Sequence, residues 1–171
     1  PPRDNRSFFF DLTDPAKRSK EDIMEVLQVI SRFQSHAETT LGLNYNETLQ
    51  VCETLGLGTG DKSEDSLKKM ATDIRRKLEI ACVVSHPVDS AACATKDGAW
   101  WSEGPFTDNP KITTGAGDHF NAGFCAARLS GFSPITSLAL ATCTSGHYVR
   151  TAQSPTTNQV VELLKQQDNL S

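Results

Sequence analysis

Between Thr113 and Phe124 the chain reads Thr113-Thr114-Gly115-Ala116-Gly117-Asp118, and then Phe120-Asn121-Ala122-Gly123-Phe124. Two glycines flank one small residue, a carboxylate follows directly, and a helical pattern begins. The first N–H groups of a helix lack intrahelical partners and lie at the positive end of its dipole, so such a junction attracts anions. Small residues let an oxyanion approach the main chain closely. A carboxylate beside that oxyanion is placed to accept a proton from an attacking hydroxyl, which is a poor nucleophile until its proton has somewhere to go. The combination suits phosphoryl transfer. It equally suits a glycine-rich helix start whose Asp caps the first turn, and spacing alone leaves the two open.

The stretch from Ile112 to Phe124 resembles the C-terminal signature of the ribokinase-like, or PfkB-type, carbohydrate kinases. That signature is usually written Asp-Thr-Thr-Gly-Ala-Gly-Asp, followed by a Phe and an Ala-Gly-Phe. Leu43-Asn44-Tyr45-Asn46-Glu47 resembles the family's Asn-x-x-Glu motif. Tyr148-Val149-Arg150-Thr151-Ala152-Gln153-Ser154-Pro155 resembles the segment after its nucleotide-flanking helix. The three matches fall in family order over most of the chain. The resemblance implies an α/β fold, a ribokinase-like three-layer sandwich with a mostly parallel central sheet flanked by helices. It also implies ATP-dependent phosphoryl transfer, with Mg2+, to a hydroxyl of a sugar or sugar-like small molecule. Known members are considerably longer, and nothing here resembles their first half, which carries most sugar-binding residues and a small β lid. The expectation is therefore that residues 1–171 are the C-terminal nucleotide-binding and catalytic portion of a longer kinase. Many members dimerise through that lid, so a homodimer is open to the full-length form but is not given by this sequence, and this portion alone is expected to be inactive.

The resemblance assigns roles residue by residue. Asp118 is the general base, in a reaction whose catalysis is mostly positioning and charge stabilisation. Gly115, Ala116 and Gly117 form an anion hole of main-chain N–H groups around the moving phosphoryl oxygens. Thr113 and Thr114 add hydroxyls toward the nucleotide, although β-branched residues at a strand end also pack well without any further role. Asn44 and Glu47 are the metal candidates, holding Mg2+ through water, since that ion prefers oxygen and keeps several waters. A polar pair that starts a helix is the alternative. Thr142 to Gly146 would run beside the adenine, or else form a tightly packed helix of small residues. His86 lies in Ser85-His86-Pro87-Val88, where the family often has a Thr-x-Gly-x-x-Gly turn. It would substitute as a phosphate donor, or be a loop histidine satisfied by the main chain. A second departure is Lys111-Ile112 before Thr113, where the signature opens with an acid. These departures motivate a competing reading, a non-catalytic nucleotide-binding or interaction protein with a degenerate kinase fold. A third is an unrelated phosphate-binding α/β protein.

The elements that must position these residues follow from local patterns. Phe8 to Leu12 reads as a buried strand ending at the Asp14-Pro15 turn. Ser19 with Asp22 three residues on is a capping box opening a helix through Ile23, Val26, Leu27, Ile30 and Phe33. Thr39 to Leu43 is the next strand, with Asn44 at its end, and a short helix runs from about Glu47 to Leu55. Gly56-x-Gly58-x-Gly60 follows that helix instead of a strand, so it reads as a connection and not a nucleotide loop. Ser63 caps a helix with Leu67, Met70, Ala71, Ile74 and Leu78 on one face, and Ile80 to Val84 is a strand. Ala91 to Thr95 and Ala99 to Trp101 flank Asp97-Gly98, a hairpin signal at a sheet edge. Trp100-Trp101 would pack on that edge or stack a sugar. Helix resumes after Gly115, again after Ser133-Pro134, and a last time after Ser154-Pro155. Alternating strands and helices argue for a mostly parallel sheet, whose ligands gather at the strands' C-terminal ends. Asn44 and the glycine motif are both expected there.

Composition excludes other classes. Net charge is −4 with acids and bases interspersed, which leaves no basic stripe for a nucleic acid. No apolar run approaches the length that spans a bilayer. Cys52, Cys82, Cys93, Cys125 and Cys143 are scattered, odd in number and without metal-ligand spacing. Reduced, mostly buried thiols of a cytoplasmic protein are the expectation.

Overall fold

The computed structural model describes residues 6–12 and 18–168, so the Asp14-Pro15 turn lies outside the described residues. The chain divides into two compact units. One comprises Pro1–Pro87 with Ala92–Trp100, the other Val88–Ala91 with Trp101–Ser171. In order, the elements are β1 (Ser7–Asp11), α1 (Lys20–Phe33), β2 (Glu38–Asn44), α2 (Tyr45–Thr54), α3 (Glu64–Leu78), β3 (Cys82–His86), β4 (Ser90–Thr95), β5 (Gly98–Glu103), α4 (Ala116–Leu129), α5 (Pro134–Thr151) and α6 (Thr157–Asp168). The five strands form one sheet in sequential order. β1, β2 and β3 are parallel, and β3 pairs antiparallel with β4.

In the first unit, α1 opens as its sequence implies. Ser19 Oγ accepts from Asp22 N–H, and Asp22 Oδ2 accepts from Ser19 N–H. At the other end Phe33 sits edge-on to Phe8 and Phe10 of β1, both at 5.1 Å between ring centres. Gln34 Oε1 then accepts the N–H groups of Thr39 and Ala81, tying the starts of β2 and β3 to the end of α1. Leu27, Ile30, Leu41, Leu43, Val51, Leu67, Met70, Ile74, Val83 and Val84 are buried as one core. The start of β3 differs from the expected Ile80. Glu79 ends α3 in a left-handed conformation at φ 54°, and the N–H of Ile80 donates to Arg75 O while Arg75 Nη1 donates to Ile80 O. Both main-chain groups of Ile80 belong to the helix end, so the ladder begins two residues later. Gly56 to Gly60 is a connection between α2 and α3, with Gly60 O accepting from Tyr45 Oη.

In the second unit, Ser133 caps α5 with its hydroxyl accepting from Thr136 N–H, and Pro134 occupies the first turn as expected. The final helix differs. It starts at Thr157, and Thr156 exchanges bonds with Gln159, so Ser154-Pro155 does not repeat the device. The hairpin at Asp97-Gly98 forms between β4 and β5. The Gly-motif is not delivered by a strand: residues 104–113 have no strand or helix, and α4 begins directly after Gly115. All five cysteines are free, four buried and Cys125 partly so. No helix among the described residues is long and apolar enough to cross a membrane.

α4 and α5 approach closely at Gly123, where a Cβ would stand 3.0 Å from Ala141 Cα and 2.7 Å from Thr144 Oγ1. Alanine there would raise helix propensity by at most about 1 kcal/mol, while overpacking costs about 1–3 kcal/mol. Crowding against main chain decides the sign. Gly123→Ala is expected to lower stability by about 1 kcal/mol, read as a lower urea midpoint at unchanged slope.

Candidate active site

The glycine turn is held by its carbonyls. Thr113 O accepts from the N–H of Ala116, and Thr114 O from Tyr148 Oη at 3.1 Å. Gly115 O accepts from the N–H of His119 at 3.1 Å and lies 2.8 Å from His119 Nδ1. Ala116 O accepts from Ser145 Oγ at 2.9 Å. Gly115 sits at φ 87°, a conformation that favours glycine, and a Cβ there would meet Tyr148 Oη at 3.3 Å. The N–H groups of Gly115, Gly117 and Asp118 have no partner among the described residues, whereas that of Ala116 is engaged with Thr113. Of the three amides assigned to an anion hole, two are therefore open, and the N–H of the next residue, Asp118, is open as well. The hydroxyls of Thr113 and Thr114 are exposed on the same turn.

Three helices of this chain carry an acid three residues after the cap, and they differ. At α1 and α2 the acid reaches back to the cap's N–H, completing a box. At α4 the cap is Gly115, no side chain caps the turn, and Asp118 makes no hydrogen bond or ion pair among the described residues. Asp118 is exposed and borders a groove of about 590 Å³ between α4, α5 and α6, whose lining mixes apolar residues such as Phe132, Leu140 and Val160 with polar ones such as His119, Thr144 and Ser154. A capping acid would have spanned to Gly115; this one is open to an incoming molecule.

Asn44 and Glu47 lie in the first unit and form the reciprocal box themselves. Asn44 Oδ1 accepts from Glu47 N–H at 3.0 Å, and Glu47 Oε2 accepts from Asn44 N–H at 2.8 Å. Thr48, one turn into α2, donates to Asn44 O and shares a bond with Ser85 Oγ at 2.7 Å. Register places Asn44 opposite His86, at the C-terminal ends of parallel β2 and β3. Burial pushes the His86 imidazole down to about 4, so it is neutral at pH 7. As a test of fit for Mg2+, the donors are hard oxygens of the right kind, yet the single side-chain oxygen of Asn44 and one carboxylate oxygen of Glu47 are engaged in the cap. Among the described residues no group of three or more His, Cys, Asp or Glu gathers to hold a metal. Such a pair suits Mg2+ only through water, since the ion readily keeps several of its waters.

Thr142 and Gly146 are buried within α5 and covered by protein. Thr142 packs against Gly104, and a Cβ on Gly146 would fall 2.4 Å from Pro105 Cγ. Arg150 Nη1 and Nη2 donate to Pro105 O and Phe106 O, fixing that cover. Both residues therefore lie on a closely packed stretch of α5. α5 also continues through Thr151, so Tyr148 to Thr151 are its last turn instead of a segment after it. Sequence reasoning did not single out His119, Ser145 or Tyr148 as groups acting on the turn. His119 stacks on Tyr148 with ring centres 3.6 Å apart, and its Nε2 lies 2.9 Å from Ser154 Oγ. No local signal marks these contacts, because Ser145 and Tyr148 reach the turn from 29 and 34 residues away.

A family model described as prokaryotic ketohexokinase matches residues 1–167. A ketohexokinase of Haloferax volcanii is 26% identical over 154 residues, covering 90% of this chain and 40% of that relative. Among solved structures, a nucleoside kinase of Methanocaldococcus jannaschii superposes with TM-score 0.69 and 21% identity, covering 95% of this chain and 49% of that one. A 2-dehydro-3-deoxygluconokinase of Thermotoga maritima superposes with TM-score 0.70 and 17% identity, covering 92% and 49%. The chain spans two fifths of the length of the curated relative and about half of each of these structures. The fold is α/β and ribokinase-like over the part spanned. With its match running through nearly every residue, the chain belongs to the prokaryotic ketohexokinase family.

Proposed function

We propose that this chain supplies the phosphate-binding and general-base portion of an ATP-dependent sugar kinase whose acceptor is a ketohexose hydroxyl. The family's description and the Haloferax volcanii relative, named a ketohexokinase, support this choice of acceptor. The observation that carries the site is the unpaired Asp118 carboxylate beside the open N–H groups of Gly115 and Gly117. Asp118 accepts the acceptor's hydroxyl proton, and the amides hold the oxygens of the transferring group, where negative charge builds. Thr113 and Thr114 line the same approach. Asn44 and Glu47 orient waters around Mg2+, which when bound neutralises charge on the nucleotide's phosphates. The chain spans two fifths of the length of the Haloferax volcanii relative, and by itself it is expected to turn over little or nothing.

The test of the base is Asp118→Asn in the complete kinase. kcat is expected to fall roughly a hundred- to ten-thousand-fold, with the nucleotide still bound in calorimetry. Undiminished turnover would remove Asp118 from the role. Nucleotide binding without phosphoryl transfer by the unsubstituted kinase, across a panel of sugars, would favour the non-catalytic alternative.

His86, if it meets phosphate, does so as a neutral N–H donor, because its imidazole titrates only near pH 4. The sign of its pH dependence follows from linkage. The unfolded chain takes up the proton near its ordinary 6.5, the folded chain only near 4, so between these values the unfolded state binds more protons. Stability is lost as pH falls through that window, by up to about 3 kcal/mol at its lower end. His86→Asn should flatten the acid limb of a urea-midpoint profile between pH 6.5 and 4. A profile of unchanged slope would show that the imidazole titrates alike in the folded and unfolded chain, overturning its depression by burial.

A further inference from the structure

A trans peptide points its N–H opposite its C=O, so whatever holds the carbonyl also aims the following amide. Every peptide bond among the described residues is trans. The amide of Gly115 shares a peptide with Thr114 O, which Tyr148 Oη holds, and the amide of Gly117 shares one with Ala116 O, which Ser145 Oγ holds. The intervening peptide is fixed at both ends, its C=O by His119 and its N–H by Thr113 O. Carbonyls only accept, so the contact between Gly115 O and His119 Nδ1 requires Nδ1 to carry the proton. In the neutral ring Nε2 is then the acceptor, and the Ser154 hydroxyl donates to it. The same imidazole stacks on the Tyr148 ring and so holds its hydroxyl over the turn.

We infer that Ser145 and Tyr148 of α5, with His119 of α4, are positioning residues that aim the Gly115 and Gly117 amides by holding the carbonyls of Thr114, Ala116 and Gly115. The inference rests on the proposed role of those amides as an anion hole. It does not need the three side chains to touch any ligand. It accounts for the convergence of two hydroxyls and an imidazole on three successive carbonyls of one turn.

The test compares Ser145→Ala and Tyr148→Phe with Ser145→Thr, which keeps the hydroxyl, in the complete kinase. Misaimed donors should lower kcat roughly ten- to a hundred-fold, below the full loss of an oxyanion-hole donor. The acceptor KM should change less than two-fold, and Ser145→Thr should restore kcat. Amide NMR is the second readout. Inorganic phosphate should shift the Gly115 and Gly117 signals in the unsubstituted protein and shift them less in both hydroxyl-deleted variants, and imidazole nitrogen shifts should report a proton on His119 Nδ1. If Asp118→Asn is inactive while Ser145→Ala and Tyr148→Phe keep full kcat, the positioning role is overturned and the base assignment stands. If Asp118→Asn is fully active, the base assignment falls. The amide readout then decides the positioning role alone: phosphate shifts identical in all variants overturn it.

Discussion

Everything at the candidate site depends on the opposition of N–H and C=O across a planar peptide. Four successive carbonyls, from Thr113 to Ala116, are engaged by donors from within the second unit. That engagement leaves the amides of Gly115, Gly117 and Asp118 open without leaving the turn loose. The requirement propagates outward. Ser145 and Tyr148 reach the turn only because α5 lies close against α4, and that approach depends on Gly123 lacking a side chain opposite Ala141 and Thr144. Gly115 must accept φ 87° and leave room for the Tyr148 hydroxyl. Two glycines eight residues apart in sequence thus serve one end, the first shaping the turn and the second admitting the helix that holds it.

The contrast among helix starts separates capping from chemistry more sharply than any single distance. Ser19 and Asn44 have side-chain acceptors, so the acid three residues on closes a reciprocal pair and the first turn is self-sufficient. Gly115 has none. Its helix keeps unpaired N–H groups and an unpaired carboxylate side by side, an arrangement that an anion and a proton donor complete together. Like residue types at like spacing therefore carry different meanings, and the difference lies in the cap residue.

What could be read in the sequence was what local chemistry fixes. The Ser19–Asp22 box, Ser133-Pro134, the Asp97-Gly98 hairpin and the end of the second strand at Asn44 are each specified within four residues, and each formed. The glycine motif and Asp118 were legible by type and order. Misses arose where distant groups claim the main chain. Ile80 reads as strand, but Arg75 holds both its main-chain groups. Ser154-Pro155 reads as a helix start, but the helix begins at Thr157 and Ser154 instead meets His119. The strand expected before Thr113 is replaced by a loop fastened to the end of α5. Ser145, Tyr148 and His119 gave no signal because hydroxyls on a helix ordinarily return to their own carbonyls, as Thr144 and Thr151 do here.

The fastening of that loop also bears on the departure at Lys111-Ile112. The N–H groups of Lys111 and Ile112 both donate to Val149 O, and Arg150 holds Pro105 O and Phe106 O. On the loop's side every one of these ties passes through main-chain atoms. The isoleucine at position 112, where the family signature opens with an acid, therefore leaves the ties intact, because the side chain at that position takes no part in them. Had the turn been braced by a carboxylate at position 112, its replacement would have loosened Gly115 to Asp118. Instead α5 braces it through Val149, Tyr148 and Ser145. The departure from the signature is thus compatible with an ordered glycine turn, and it gives no independent support to the reading in which the chemistry has been lost.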